Sequence, residues 1–206
     1  MKEGCIFVGH LGWTDIILCF SIPFYLTKNY ENVVVIIMEE ARLFCDFLYS
    51  KNSNIKQEYL KKSEIDKKLI QPVVEKYKNY EFIGVGSHWN NYSKKYKRGG
   101  IEYFYSQLNI PVEEHYNSFY LERNLELEEK KFTEFKKTYT KDYIIVNEDI
   151  QRGLKINRKK IRKNKQIFNI NNSSQIFFDM IKILEESEEI HLISTCWSML
   201  IKLLQK

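Results

Sequence analysis

Three groups of residues in this chain have types and spacings that could do chemistry. The first is His10-Leu11-Gly12-Trp13-Thr14-Asp15, a polar turn between the apolar run CIFVG at 5–9 and an apolar helical pattern over 14–28. A strand that runs through a Gly-containing turn straight into a helix is how an open α/β sheet begins, and such sheets take ligands outside the carboxyl ends of their strands. His10, Gly12, Thr14 and Asp15 are the chemical content of that turn. Thr and Asp are also good N-cap residues, so Thr14 or Asp15 could serve only to cap the helix. The second group, Glu148-Asp149 with Arg152 and Lys155, comes after the apolar run YIIVN at 143–147. The third, His191 with Ser194 and Thr195, sits at the end of EIHLIS at 189–194, in front of a last helical pattern over 195–205.

The second and third groups suit an anion. Arg holds a phosphate bidentately and Lys acts as a point charge. Ser194 and Thr195, with the first N–H groups of a helix, would make an anion site the size of a diphosphate. Each has a plain alternative. Arg152 and Lys155 could be surface residues, Ser194 an N-cap, and His191 a histidine satisfied within the core.

All three groups lie at the ends of expected strands. Continuous apolar runs predict strands over 4–9, 33–38, 81–85, 143–147, 166–169 and 189–194. Runs without alternation suit strands covered on both faces, as in parallel sheets. Helical patterns fall between them over 14–28, 39–50, 58–78, 100–108, 124–138, 174–186 and 195–205. Leu60, Ile65, Leu69, Val73 and Tyr77 carry the third, and a thin stripe of Leu125, Phe132 and Phe135 marks the strongly charged fifth as a helix lying on a surface. Strands alternating with helices imply βαβ units.

The 206 residues allow one or two domains with a sizeable core, and 44% hydrophobic with 29% charged residues is ordinary globular composition. The net charge of +5 is concentrated in RGLKINRKKIRKNK at 152–165, a local basic stretch that suits phosphate-bearing substrates. A nucleic-acid binder would show a broader basic face, so no nucleic-acid partner is expected. Cys5, Cys19, Cys45 and Cys196 lie far apart without a C-x-x-C pair, which predicts reduced thiols, no zinc site and a cytoplasmic protein. No signal peptide is evident, and the apolar stretch 16–26, about 11 residues, is too short for an integral membrane segment. Walker A, G-x-G-x-x-G, G-x-S-x-G and H-E-x-x-H patterns are all missing, as is any Asp-x-Asp pair for a metal.

The order of these motifs resembles a family of small glycosyltransferase-like proteins with GT-B architecture, encoded by viruses and bacterial polysaccharide clusters. It is distantly similar to the ADP-heptose:lipopolysaccharide heptosyltransferases and the fucosyltransferase-type GT-B enzymes. The opening corresponds to His10 to Asp15, with Thr14 where the family has a second Gly. The middle pattern F-Y-x-Q-x-x-I-P…F-Y-x-x-R stands as Phe104, Tyr105, Gln107, Ile110, Pro111, Phe119, Tyr120 and Arg123. The later pattern Y-I-x-V-x-x-D-x-x-R-G-x-K-I covers Tyr143 to Ile156, and the last covers Glu189 to Ser194.

The resemblance implies an α/β fold of two Rossmann-like lobes with parallel sheets. These are an acceptor lobe over 1–110, a connecting segment with the charged helix over 111–140, and a short donor lobe over 141–206. It implies a metal-independent transfer of a sugar from a nucleotide-sugar to a glycan or polysaccharide hydroxyl, with no cofactor. Asp15 would be the general base, with His10 orienting it or the acceptor. Gly12, Thr14 and His191 would contact ligand. Arg152, Lys155, Ser194 and Thr195 would neutralise the diphosphate, and Asp149 would face the donor. The family usually continues for further elements after the His191 strand, so a non-catalytic relative that binds a glycan or nucleotide-sugar is the alternative.

Overall fold

The computed structural model describes residues 1–9, 12–61, 67–86, 100–119, 123–149, 153–161, 164–172, 177–193 and 196–204. The chain divides into two compact units, Met1–Tyr120 and Leu121–Lys206, each built on its own parallel sheet.

In the first unit the strands are β1 (Lys2–Val8), β2 (Tyr30–Met38), β3 (Ile55–Leu60) and β4 (Glu81–Gly84). They lie in the order β3-β2-β1-β4, all parallel, with Cys5 beside Val33 on one side and Glu81 on the other. The apolar runs explain the middle of this sheet. Every residue from Cys5 to Val8 and from Val33 to Ile37 is buried, because helices cover both faces. Alternation sends Ile6, Val8, Val34 and Ile36 to one face, where Ile70 and Val73 of α4 (Lys67–Lys76) pack on them. The opposite face carries α1 (Trp13–Cys19), α2 (Ser21–Leu26) and α3 (Arg42–Tyr49).

Two expectations are corrected here. The single helix over 58–78 is a strand followed by a shorter helix, with Leu60 closing β3 and not opening a helix. β3 (IKQEYL) is an edge strand whose polar side chains find tertiary partners. Lys76 Nζ and the Tyr77 hydroxyl both donate to Glu58 Oε1, at 2.6 and 2.7 Å, and the Arg42 guanidinium lies 3.8 Å above the Tyr59 ring. Pairing with β2 from Ile55 to Leu60 therefore overrides the helical spacing. Second, neither Thr14 nor Asp15 caps α1. The N-cap is Gly12, without a side-chain capping bond, and both residues lie inside the first turn.

The first unit is completed by α5 (Ile101–Tyr105) and α6 (Glu113–Asn117). Tyr105 is fully buried. Its hydroxyl shares hydrogen bonds with Ser21 Oγ and with His115 Nδ1, and so ties α5 to α2 and α6.

The second unit holds β5 (Tyr143–Asn147), β6 (Gln166–Asn169) and β7 (Glu189–Leu192) in the order β6-β5-β7, again all parallel. Its helices are α7 (Leu125–Thr138), α8 (Ile181–Glu185) and α9 (Cys196–Leu204). The charged helix α7 is anchored by Phe135, which stacks on Tyr139 and meets the edges of Tyr143 and Phe168 at 4.7 and 4.9 Å between centroids. Leu125 from the expected stripe stays exposed. The residue of α7 that is buried is Glu128, gripped by the Arg123 guanidinium at 2.5 and 3.0 Å. The same guanidinium reaches Glu185 at 2.6 and 2.8 Å. Arg123 of the F-Y-x-x-R pattern is thus an ionic clamp between the start of α7 and the end of α8.

Among the described residues no helix is long and apolar enough to cross a membrane. Cys5, Cys19 and Cys45 are buried free thiols and Cys196 is half-buried. Burial pushes the Cys5 thiol up to about 12, and the carboxylate of Glu81 adds to the shift.

Candidate functional site

In a doubly wound sheet the crevice opens where strand order reverses, at the carboxyl ends of the two strands that flank the reversal. In the order β3-β2-β1-β4 that point lies between β1 and β4, and in β6-β5-β7 between β5 and β7.

At the first crevice, the turn after β1 enters α1 through Gly12, whose carbonyl accepts the Ile16 N–H at 2.9 Å. The Asp15 carboxylate folds back over Gly12, and a Cβ on residue 12 would come within 2.9 Å of Asp15 Oδ2. Thr14 and Asp15 are both half-buried there. Across the crevice, the Val85 N–H extends the sheet to the Val8 carbonyl at 2.9 Å, and the chain then turns at Gly86 with φ +100°, a backbone that glycine adopts without strain. Gln107 holds that turn. Its side-chain carbonyl accepts the Gly86 N–H at 3.0 Å, while its amide donates to the Tyr103 carbonyl at 2.8 Å. In the sequence alone Gln107 is one letter of a motif. Its work is to fix the backbone just beyond β4, and only the tertiary pairing reveals that. His10 lies outside the described residues.

At the second crevice, β5 and β7 are direct neighbours, with Asn147 beside Leu192, and the Ile193 N–H donates to the Asn147 carbonyl at 3.3 Å. Glu148 after β5 and Ile193 after β7 therefore leave the same edge of one sheet. Asp149 and Leu154 exchange both backbone hydrogen bonds, at 2.8 and 3.0 Å, and Gly153 takes φ +70°. Glu148 does not face outward. Its carboxylate accepts the Ile156 N–H at 3.1 Å and the Arg158 guanidinium at 2.8 Å. Burial pushes that carboxyl up, but the Arg158 and Ile156 hydrogen bonds outweigh it and leave it below the ordinary glutamate range. Asn171 braces the same edge, accepting from the Asn147 amide and donating to the Glu148 carbonyl. Lys155 is exposed beside Leu154. His191, half-buried on β7, shares a 2.8 Å hydrogen bond with Glu189 two residues earlier on the same face. Arg152, Ser194 and Thr195 lie outside the described residues.

Neither protein-family models, nor curated proteins, nor solved structures match this chain. The site is therefore read from its own geometry. Two parallel α/β units each bring polar groups to the reversal of strand order. Asp15 with Thr14 stands at one crevice, and Asp149, Lys155 and His191 stand on the elements of the other. Among the described residues no three His, Cys, Asp or Glu side chains are grouped so as to hold a metal ion. A cavity of about 610 Å³ opens at the opposite, amino-terminal edge of the first sheet, between Tyr25, Leu26, Ile83 and Ile110. Its polar wall is satisfied internally, because Lys2 Nζ and the Tyr30 hydroxyl both donate to Glu81, at 2.5 and 2.8 Å.

Proposed function

We propose that this chain is a metal-independent glycosyltransferase of the GT-B kind, moving a sugar from a nucleotide-sugar to the hydroxyl of a glycan or polysaccharide. The observation that carries this reading is the presence of two parallel α/β units, each with polar residues at its reversal of strand order. The order of the sequence motifs supports it.

In this mechanism Asp15 takes the proton of the acceptor hydroxyl as its oxygen attacks the anomeric carbon. The bond from that carbon to the diphosphate oxygen breaks, and the nucleoside diphosphate leaves with the electron pair. General-base assistance of this kind is worth about 10²–10⁴ in rate. His10 orients Asp15 or the acceptor. Arg152 and Lys155, with Ser194 and Thr195 ahead of α9, stabilise the charge on the leaving diphosphate, a purely electrostatic contribution. Asp149 faces the ribose hydroxyls.

A second reading, a non-catalytic relative that binds a glycan or nucleotide-sugar, is favoured by the smaller second sheet, with three strands against four among the described residues. One experiment separates them. Nucleotide-sugars are screened for release of nucleoside diphosphate in the presence of glycan acceptors and excess EDTA, and melting is followed with each nucleoside diphosphate. Turnover in EDTA supports the transferase. Stabilisation without turnover, about 2.7 kcal/mol at 100 times the dissociation constant, supports the binder. Turnover that requires added magnesium or manganese contradicts the metal-independent mechanism.

A further inference from the structure

The cavity at the amino-terminal edge of the first sheet lies apart from the crevice, and its volume of about 610 Å³ suits a small organic ligand. It opens between the end of α2, the starts of β1 and β4, and the chain that follows α5. One part of its wall is apolar. Leu26 and Ile110 are buried there, and Ile83 and Leu108 are half-buried. The other part holds a pair of opposite charges, Lys2 and Glu81.

That pair is bonded but not saturated. Lys2 Nζ and the Tyr30 hydroxyl share one carboxylate oxygen, Glu81 Oε2. Glu81 Oε1 has no hydrogen-bond partner among the described residues. An ammonium has three N–H groups, so Lys2 also keeps capacity to donate. The Asn29 side-chain amide, at the same cavity, has no partner among the described residues either. Solutes reach both charges, because the Lys2 side chain is 67% exposed and that of Glu81 49%. An ion pair this exposed contributes little to stability and rearranges readily.

Such a pair selects a charge pattern. A lone cation at Glu81 meets the Lys2 ammonium, and a lone anion at Lys2 meets the Glu81 carboxylate. A ligand with an ammonium and a carboxylate side by side avoids both conflicts. Its ammonium donates to Glu81 Oε1 and its carboxylate accepts from Lys2, so four charges alternate in sign and balance. The neighbouring wall of Leu26, Ile83, Leu108 and Ile110 then takes an apolar remainder.

We infer that this cavity binds a free α-amino acid with a branched or aromatic side chain, its ammonium on Glu81, its carboxylate on Lys2 and its side chain on the apolar wall. The inference goes beyond the transferase reading and does not depend on it, since the cavity lies at the opposite edge of the sheet from Asp15.

The test is calorimetric titration and thermal melting of the full chain with leucine and phenylalanine. Isoamylamine and isocaproate, which are leucine without its carboxylate and without its ammonium, serve as half-ligands. At least one of the amino acids is expected to raise the melting temperature. If it is leucine, each half-ligand should bind about tenfold or more weakly than leucine, the loss of one hydrogen bond to a charged group; if phenylalanine, the same holds for phenethylamine and phenylpropionate. Glu81→Gln keeps an acceptor for Tyr30 and should weaken the amino acid by a similar factor. Leu108→Trp fills the cavity, leaves Lys2 and Glu81 in place, and should weaken it at least as much. No effect of either amino acid on the wild type overturns the inference. A half-ligand that binds as well as its parent overturns it without recourse to any variant. Unchanged affinity in either variant puts the amino acid elsewhere and overturns it too. Sugar transfer, or its failure, bears on none of these results.

Discussion

The two units present different chemistry at equivalent edges. At the reversal of the first sheet glycines gather, with Gly9, Gly12, Gly84 and Gly86 at the ends of β1 and β4 and in the turns after them, and Asp15 is the charged residue described beside them. At the reversal of the second sheet the ends are crowded with side chains that restrain one another, including Asn147 with Asn171 and Glu148 with Arg158. Small residues let a neutral ligand come close to the chain. Braced charges hold a loop in shape around something charged. A reversal of strand order can thus carry different chemistry, according to the residues that follow the strands.

The sharpest way to break this contrast is Asp15→Asn. If the first edge does proton chemistry and the second holds diphosphate, transfer falls by about two orders of magnitude or more while nucleoside diphosphate affinity stays as it was. Steady-state rates and calorimetric titration check the two halves, and near-normal turnover removes Asp15 from the mechanism.

Next in size is Arg123→Met. It strands the buried Glu128 carboxylate and should destabilise the second unit by about 3 kcal/mol, the low end for breaking a buried pair because Arg123 is partly exposed. Hydrogen exchange should show the loss in β5 to β7, with β1 to β4 unchanged, and adding Glu128→Gln should restore part of it. Equal loss in both units would mean that they do not fold as separate bodies.

Arg152→Ala should weaken nucleoside diphosphate binding by about 1.5–3 kcal/mol and leave the free nucleoside unaffected, as expected for a hydrogen bond to a charged group. Similar losses for both ligands would place the arginine away from the phosphates.

The sequence-level reading fares differently across these regions. β1, β2 and β5 are legible because parallel strands buried on both faces must be apolar along the buried run, and Val33 to Ile37 or Tyr143 to Val146 cannot be much else. β4, β6 and β7 are short and only partly buried, and show as briefer apolar runs. β3 is not legible, since Lys56, Gln57 and Glu58 look like a helix surface until Lys76, Tyr77 and β2 are brought beside them. At the site, the placement of Asp149, Lys155 and His191 on strand ends or just after them can be told from where apolar runs stop, whereas Asp15 lies inside the first turn of α1. The roles of Gln107, Arg123 and Tyr105 cannot, because each depends on partners far away in the chain.

Smaller effects refine the second edge. Gly153→Ala should cost about 1 kcal/mol, since a side chain is strained at φ +70° and nothing within 4 Å adds a steric term. The turn from Asp149 to Leu154 would loosen, and a modest drop in melting temperature with weaker diphosphate binding would tie that turn to the ligand. Glu148→Gln should matter least, about 1 kcal/mol or less. The Glu148 carboxyl is held below its ordinary value, so its contribution is present above the ordinary glutamate range, near 4.3, and fades as pH falls through the lowered folded value. Acid unfolding of the variant should lose that component, and identical acid limbs would show that Arg158 contributes nothing to stability.

The parallel order of the first sheet also governs how it can be assembled. β1 is the earliest strand of its unit in the chain but lies inside the sheet, with Cys5 paired to Val33 and to Glu81. At a synthesis rate of roughly 5–20 residues per second, one flank of its apolar stretch from Cys5 to Val8 waits several seconds for β4 to be made. β5 waits in the same way, since Ile144 pairs with Glu189. Such distant pairings must overcome loop closure before contacts form, which makes folding slow and leaves apolar edges open meanwhile. The nascent chain is therefore most prone to aggregate while β4 or β7 is still missing, and holding chaperones should act in those two intervals.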